Sequence, residues 1–285
     1  MTNSVLACID GSVYSQSVAD HAGWAAARLG LGVELLNVIG RRESPATEDR
    51  SGALAAGARR QLLEELAELD AERAKLLQQQ ARLDLADARA RVEAAGVEHG
   101  VVELLRRGDL LETLEARTAA TELLVLGKRG EAADFAQLHL GSNLERILRA
   151  THVPTLVAAR AFKPISRFLL AFDGRPSALK AVDDLSRSPL FAGLAGTLVM
   201  AGERTGRSES ALESAARQLR AGGLEVEARV APGSPNTVIP DLVQRTGADL
   251  LVMGAYGHSR LRTLVLGSTT SEMIRACRVP ILVYR

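Results

Sequence analysis

The chain repeats itself once, and this repeat constrains the fold more than any other feature of the sequence. Asp10 and Asp173 occupy equivalent positions 163 residues apart, whereas Gly127 and Gly254 are equivalent but only 127 residues apart. The first copy therefore carries 36 additional residues between its aspartate and its glycine. The repeated segments are Val5–Gly11 with Phe168–Gly174, Leu123–Gly130 with Leu250–Gly257, and Val153–Val157 with Val279–Val283.

The repeat implies two domains, and the length of 285 residues agrees with that number at about 150 residues per domain. We place the first domain at residues 1–160, with a long helical insertion at 41–95, and the second at residues 161–285. The short segment Arg160–Pro164 marks the boundary as a linker.

Short aliphatic runs alternate with helical patterns in both copies. Several runs are apolar without alternation, which is typical of strands buried on both faces of a parallel sheet. The expected strands are 4–9, 33–39, 101–105, 122–126 and 154–158 in the first copy, and 167–172, 196–201, 225–230, 249–253 and 280–284 in the second. Repeated βα units connect through right-handed crossovers. We therefore predict an α/β fold of two tandem doubly wound domains, each with a five-stranded parallel sheet flanked by helices.

The sequence of the insertion in the first copy predicts one long helix. Residues 58–95 contain no Pro or Gly and are rich in strong helix formers. A helix of 38 residues would be about 57 Å long at 1.5 Å per residue. A partial apolar stripe is formed by Leu62, Leu66, Leu69, Leu76, Leu83 and Val92. Two interpretations stay open, a solvated helical extension or a surface for a partner or for self-association.

Composition excludes several classes of protein. The formal charge is +1 and aromatic residues make up 3%, which disfavours both a phosphate-neutralising nucleic-acid binder and a base-stacking one. No apolar run approaches the roughly 20 residues of a membrane span, and the first residues do not resemble a secretory signal. The two cysteines, Cys8 and Cys277, form no metal-binding spacing and suit a reduced compartment. We expect a cytoplasmic protein with neither membrane nor nucleic-acid partners and without a metal site.

A glycine pattern follows the fourth expected strand of the second copy. Gly254 and Gly257 are separated by two residues, and nine residues then precede Gly267 and Ser268, where a helical pattern begins. Glycines let backbone N–H groups approach an anion, and a helix N-terminus adds free donors and a positive dipole end. Asp173 ends the first strand of the same copy and should reach the same crevice. The alternative is that the glycines only form turns and Ser268 only caps the helix.

The glycine pattern and the repeat together resemble the universal stress protein family, as a tandem of two domains across nearly the whole chain. Nucleotide-binding members of that family show G-x2-G-x9-G-[S/T] after the fourth strand. The resemblance implies that Asp173 and the backbone at Val199 and Met200 contact adenosine. It further implies that the glycine loop and the hydroxyl residues after it hold ribose and phosphates. The residues concerned are Gly254, Gly257, Gly267, Ser268 and Thr269, with Met253 at a further contact position or simply in the core.

The first copy departs from this pattern. Gly127 and Gly130 are followed by ten residues before Gly141 and Ser142, and that loop contains Glu131 and Asp134. Negative charge facing a phosphate is unfavourable, although Lys128 and Arg129 could offset it. Asp10 is retained at the end of the first strand. Either this copy is a second nucleotide site, or it is degenerate and serves a structural role or takes another small ligand.

The sequence favours binding over catalysis. No Walker, G-x-G-x-x-G, G-x-S-x-G or H-E-x-x-H pattern occurs, and no metal-positioning carboxylates accompany the glycine loop. We predict a stress-response protein that binds ATP, with or without Mg²⁺, in the second domain, with at most slow hydrolysis. The competing hypothesis is a non-nucleotide scaffold or small-ligand carrier that acts through partner contacts of the long helix.

The last strand of each copy should lie at the edge of its sheet. An exposed aliphatic edge invites pairing with another strand. Residues 154–158 and 280–284 are therefore expected to pair and form an internal pseudo-dimer, with a homodimer of whole chains as a further expectation.

Overall fold

The computed structural model describes residues 3–40, 56–128, 142–255 and 268–285, with helix residues 56–63, 142 and 268 described by their backbone alone. Ten strands form one sheet in the order β3-β2-β1-β4-β5-β10-β9-β6-β7-β8. The strands of the first copy are β1 (Ser4–Cys8), β2 (Gly32–Ile39), β3 (Val101–Arg107), β4 (Thr121–Gly127) and β5 (Thr155–Ala158). Those of the second are β6 (Arg167–Ala171), β7 (Ala195–Ala201), β8 (Glu225–Ala231), β9 (Leu250–Gly254) and β10 (Ile281–Tyr284).

The described residues of each copy also form four α-helices. In the first copy they are α1 (Ser15–Leu29), α2 (Ala56–Ala94), α3 (Leu110–Glu115) and α4 (Ser142–Ala150). In the second they are α5 (Pro176–Arg187), α6 (Gly206–Ala221), α7 (Pro235–Thr246) and α8 (Ser268–Ala276). The α/β class and the predicted five strands of each copy are confirmed, with ends that differ by one or two residues.

The two halves join through their last strands. β5 pairs with β10 in an antiparallel arrangement in which Leu156 lies opposite Leu282, and the other strand pairs are parallel. The internal pairing predicted from the edge strands is therefore confirmed. As a consequence, the two expected sheets form one continuous sheet of ten strands. Joining the two edges is favourable because it removes two rows of unpaired backbone groups.

Helices cover both faces of this sheet. One apolar cluster lies under α1, α2, α5 and α6, and the other lies under α3, α4, α7 and α8. Successive residues of a strand point to opposite faces, so Leu156 joins the first cluster and Val157 the second. Both clusters contain residues of both copies, which makes the junction between the halves part of the core.

The predicted long helix is present, and most of the partial apolar stripe in its sequence faces away from the core. α2 has 39 residues against 16 in α6, so the additional length of the first copy lies between β2 and β3. Its buried positions are Ala81, Leu85, Ala88 and Val92, which pack against the core. Of the six stripe residues only Val92 is buried, whereas Leu66, Leu69, Leu76 and Leu83 are exposed and the side chain of Leu62 is outside the described residues.

The reason is the period of the stripe. A spacing of seven residues drifts by about 20° per repeat around a straight helix, so such a stripe turns away from a fixed core. The buried set follows spacings of four, three and four residues, which keep one face of a straight helix toward the sheet. At its C-terminal end α2 is further held to α1, because Arg91 Nη1 lies 3.1 Å from Asp20 Oδ1. Residues 41–55 of the predicted insertion lie outside the described residues.

Candidate functional site

The sheet order places the candidate site between β6 and β9. The chain runs from β6 outward to β7 and β8 and then returns to the other side of β6 as β9. Ala171 near the end of β6 pairs with Met253 near the end of β9, so both strands end at the same edge. A crevice forms outside the carboxyl ends of parallel strands where the strand order reverses. β1, between β2 and β4, creates the same arrangement in the first copy.

Asp173 follows β6 at this crevice and is exposed. Its Oδ1 accepts a hydrogen bond of 3.0 Å from the backbone N–H of Arg175, and Oδ2 lies 3.7 Å from Arg175 Nε. Between them, Gly174 adopts φ +73°, a conformation that side chains disfavour. An ideal Cβ on Gly174 would meet no atom of the described residues within 4 Å. No atom of the part of the chain that the structure describes therefore fills the space directly beside the carboxylate.

Gly254 has a packing reason to be glycine. A Cβ there would lie 2.5 Å from Ser177 Oγ and 2.9 Å from the backbone nitrogen of Ala178. Ser177 Oγ also donates a 3.1 Å hydrogen bond to the carbonyl of Ala255. The end of β9 thus lies against the first turn of α5, whose N-terminus carries no side-chain cap. The N–H groups in the first turn of a helix have no partner within the helix, so the start of α5 adds possible donors beside the end of β9.

Two of the expected contact residues have their side chains in the core. Val199 is 0% exposed and Met253 is 5% exposed, and both belong to the apolar cluster under α7 and α8. The Val199 carbonyl already accepts a 2.8 Å hydrogen bond from the N–H of Phe172. Met200 is half-buried at the end of β7. Val199 and Met253 can therefore offer a ligand only backbone atoms.

Of the remaining predicted residues of the second copy, Ser268 and Thr269 lie in the first turn of α8. This helix begins at Ser268, with Thr269 half-buried in its first turn. Gly257, Gly267 and the side chain of Ser268 lie outside the described residues. A helix start at this point supplies the free N–H donors and the dipole end that the sequence pattern predicted.

The first copy has a different crevice. Asp10 follows β1, and its Oδ1 accepts hydrogen bonds from the backbone N–H of Ser12 at 3.0 Å and from Ser15 Oγ at 3.1 Å. Gly11 has φ +75°, as its counterpart does, but a Cβ on it would lie 2.7 Å from Asp84 Oδ2. Asp84 comes from α2 and accepts a 2.9 Å hydrogen bond from Gln80 Nε2. The long helix thus brings a second carboxylate to a place that no described residue fills in the second copy.

Lys128 makes a contact with the other copy. Its ammonium donates a hydrogen bond to the carbonyl of Cys277, the residue that follows α8 in the other copy. A cation at the C-terminal end of a helix is favourable because the last carbonyls carry partial negative charge. Gly127 ends β4 just before it. Gly130, Gly141, Arg129, Glu131, Asp134 and the side chain of Ser142 lie outside the described residues.

The two cysteines form no disulfide, and the pKa of each thiol is raised. Burial raises the pKa of the Cys8 thiol far above its ordinary value, and the nearby charge of Asp10 raises it further. Burial also raises the pKa of Cys277, although Lys128 opposes that shift. Within the described ranges, no group of three His, Cys, Asp or Glu side chains could hold a metal ion. The helices of those ranges include none that is long and apolar enough to span a bilayer.

The sequence did not reveal Asp84 or Ser177 as site residues. Asp84 lies 74 residues beyond Asp10, and only the packing of α2 brings them together. Ser177 left a weak signal, since a serine follows each Asp-Gly pair at the start of the next helix, Ser15 in one copy and Ser177 in the other.

Comparisons with known proteins agree with this architecture. The model of the universal stress protein family matches the chain twice, over residues 1–159 and 158–285. The universal stress protein Slr1230 of Synechocystis sp. is 37% identical over 287 residues, which cover 99% of each chain. A universal stress protein structure from Archaeoglobus fulgidus superimposes with a TM-score of 0.72 at 21% identity, over 99% of this chain and 96% of that one. The protein PA1789 of Pseudomonas aeruginosa gives 0.58 at 16% identity, over 99% and 92%.

The family model matches each half of the chain once, which agrees with the internal repeat. The similarity to Slr1230 extends along the full sequence, which agrees with two halves joined in one sheet. The chain therefore belongs to the universal stress protein family and carries two tandem copies of its domain.

Proposed function

We propose that the chain binds an adenine nucleotide, ATP, in the crevice of its second copy and acts as a nucleotide-dependent regulator of the stress response. The observation that carries this proposal is the space beside Gly174 and Asp173, at the strand-order reversal between β6 and β9, which no atom of the described residues fills. Backbone N–H groups and a helix N-terminus suit phosphate in such a crevice without requiring a basic surface. ATP would therefore be held with or without Mg²⁺, and turnover would be slow at most.

We assign the binding of the nucleoside to the carboxylate of Asp173. Its Oδ1 is oriented by the N–H of Arg175, while its exposed position leaves room for further hydrogen bonds from ribose or adenine donors. The phosphates would lie toward Gly254, Ser268 and Thr269. The first copy would bind nucleotide more weakly, because the Asp84 carboxylate stands where its crevice would have to open.

α8 connects the two glycine loops and suggests how binding would be sensed. Its N-terminus at Ser268 follows the glycine loop of the second copy, and the carbonyl just after its C-terminus is held by Lys128 of the first. A nucleotide that repositions α8 would therefore act on the loop of the other copy. Its effect is limited by its difference in affinity between the two arrangements.

Calorimetric titration with ATP tests the proposal, and the repeat supplies a matched control. Asp173→Ala should abolish or strongly weaken binding, whereas Asp10→Ala, the equivalent change in the first copy, should leave the tighter site intact. Gly267→Val should also remove binding by placing a side chain at the start of α8. If the wild-type chain shows no saturable binding, or if Asp173→Ala binds ATP as the wild type does, the proposal is wrong.

A scaffold that acts without nucleotide is the second candidate. The observation in its favour is the set of exposed leucines on α2, which the nucleotide hypothesis does not use. Loss of stress tolerance on Leu69→Ala/Leu76→Ala, combined with normal tolerance in a variant that no longer binds ATP, would favour the scaffold.

A further inference from the structure

A buried histidine of the first copy is covered by the linker that connects the two copies. His21 of α1 is 0% exposed, and its ring meets the ring of Phe162 in an edge-to-face arrangement with the centroids 4.9 Å apart. Phe162 lies in the linker of residues 160–164. A titratable side chain on one copy is thus in direct contact with the segment that leads into the other.

The hydrogen bonds of His21 determine which ring nitrogen carries the proton of the neutral form. Nδ1 lies 2.6 Å from the carbonyl oxygen of Ser17. A carbonyl oxygen can only accept, so Nδ1 is the donor and the lone pair is on Nε2. Nε2 is buried, and no partner within the part of the chain that the structure describes forms a hydrogen bond with it. Protonation at Nε2 would therefore create a buried charge and a buried N–H donor without an acceptor.

The charged groups of α1, α2 and the linker do little to offset this cost. Asp20, the neighbour of His21 in α1, favours the protonated imidazole, but Arg91 of α2 neutralises that carboxylate, with 3.1 Å between Nη1 and Oδ1. The linker contributes Arg160 and Lys163, which are exposed and have the same sign of charge as an imidazolium.

The other elements packed against α1 do not supply a free carboxylate either. Strands β1 and β5 contain no charged residue, and neither does the helical turn Pro189–Phe191. Glu122 of β4 is exposed and accepts a 2.7 Å hydrogen bond from Asn3 Nδ2. Glu34 of β2 is paired with Arg117. Burial therefore outweighs the groups that favour protonation, and it lowers the pKa of the histidine.

The linker has a second neighbour on its other side. Ala161 and Lys163, which flank Phe162 in the chain, line a cavity of about 520 Å³ together with Gly247 after α7 and Cys277 after α8. Phe162 thus contacts α1 while the residues beside it form a wall of this cavity. Movement of the linker away from α1 would therefore change the shape of the cavity as well.

We propose that His21 and Phe162 form an acid-sensitive latch, which holds the linker on α1 while His21 is neutral and releases it when Nε2 takes up a proton. Release exposes Nε2 to water, which supplies the acceptor that the latched arrangement lacks. Because burial lowers the pKa of His21, the latch is strongest above the ordinary value of 6.5 and weakens as the pH falls toward the lowered pKa of the latched state. The inference does not depend on nucleotide binding.

Hydrogen exchange of the full chain tests the latch through the protection factors of the linker amides at pH 7.5 and pH 5.5. Uptake of one proton on release should lower these protection factors by up to about tenfold between the two pH values. His21→Phe keeps an apolar ring beside Phe162 without a titratable group, and its linker should stay protected at both pH values. His152→Phe is the matched control, because His152 is exposed, and it should show the same decrease as the wild type.

A second variant tests the contact from the side of the linker. Phe162→Ala lets water reach Nε2, so an NMR titration should show the pKa of His21 moving up toward its ordinary 6.5. The linker of this variant should be less protected than that of the wild type at pH 7.5 and should depend less on pH. Circular dichroism verifies that each variant is folded.

Three results would overturn the proposal. Linker amides that exchange no faster than those of β9 would show that the linker leaves α1 only on global unfolding. Wild-type protection that stays constant or rises at pH 5.5 would show that the Phe162 ring tolerates or attracts the imidazolium. A decrease that His21→Phe retains would assign the effect of acid to another group.

Discussion

The difference between the two crevices gives a prediction that can be worked through quantitatively. Asp84 Oδ2 lies 2.7 Å from the place that a Cβ on Gly11 would occupy. By analogy with the second copy, a nucleoside would lie beside Gly11 and the phosphates toward the start of α4, about 10 Å from this carboxylate, where two unit charges repel by about 0.4–1.7 kcal/mol at effective dielectric constants between those of water and a protein surface. The first copy should therefore bind ATP about 2- to 16-fold more weakly than it would without this charge.

Asp84→Asn removes the charge while keeping the size of the side chain and one oxygen for Gln80. We expect calorimetric titration of the wild type to show one tight ATP site per chain, and the variant to gain affinity at a second site by roughly that factor. Asp87→Asn is the control, because Asp87 is exposed on the same helix and has no position beside Gly11.

Two results would refute this reasoning. Equal affinity of the two copies in the wild type would show that Asp84 does not obstruct the first crevice. A second site that Asp84→Asn leaves unchanged would show that the barrier lies elsewhere, as in the acidic residues of the loop after Gly130.

Three further predictions follow from packing and burial. Leu85→Ala should lower the free energy of unfolding by about 2–5 kcal/mol in urea denaturation, because Leu85 is 1% exposed. Leu83→Ala, at an exposed position of the same helix, should change it by less than about 1 kcal/mol in dilute solution. Gly254→Ala should cost about 1–3 kcal/mol through contact with Ser177 Oγ, and adding Ser177→Gly should recover part of that loss if the contact is the cause. Burial lowers the pKa of His21 below its ordinary 6.5. As the pH falls, the imidazole is therefore protonated in the unfolded chain before it is protonated in the folded one. The free energy of unfolding should therefore fall as the pH drops below about 6.5, and His21→Phe should flatten that part of the profile; an unchanged profile would contradict the assignment.

The strands and the pairing of the two edge strands could be predicted well from sequence. The ten aliphatic runs are long and bounded by helical patterns, and the repeat allowed each copy to check the other. The joining of β5 to β10 followed from the aliphatic edges that a five-stranded sheet leaves at its ends. These features depend on local pattern and on the general rules of parallel sheets.

The placement of α2 could not be predicted in the same way. Its sequence contains two sets of apolar positions, and helix propensity does not say which set meets the sheet. Alanines formed half of the buried positions, although leucines were the more conspicuous candidates. The contact of Asp84 with the first crevice is a consequence of that choice, because rotating the helix to bury Leu83 would have turned Asp84 away.

The candidate site was only partly visible in the sequence. Asp173 and Gly254 could be placed at neighbouring strand ends from the topology alone, and the structure brings them to one edge of the sheet. The close approach of Ser177 to Gly254, and the link from Lys128 to Cys277, are contacts across 77 and 149 residues that local patterns do not encode.

The most direct test of the central claim is a crystal structure of the full chain grown with ATP, with difference density inspected at both crevices. We predict density for the nucleotide beside Asp173 and Gly254 in the second copy, with its phosphates toward the start of α8. Nucleotide density in the first copy alone, or at neither crevice in crystals grown at saturating ATP, would contradict the claim.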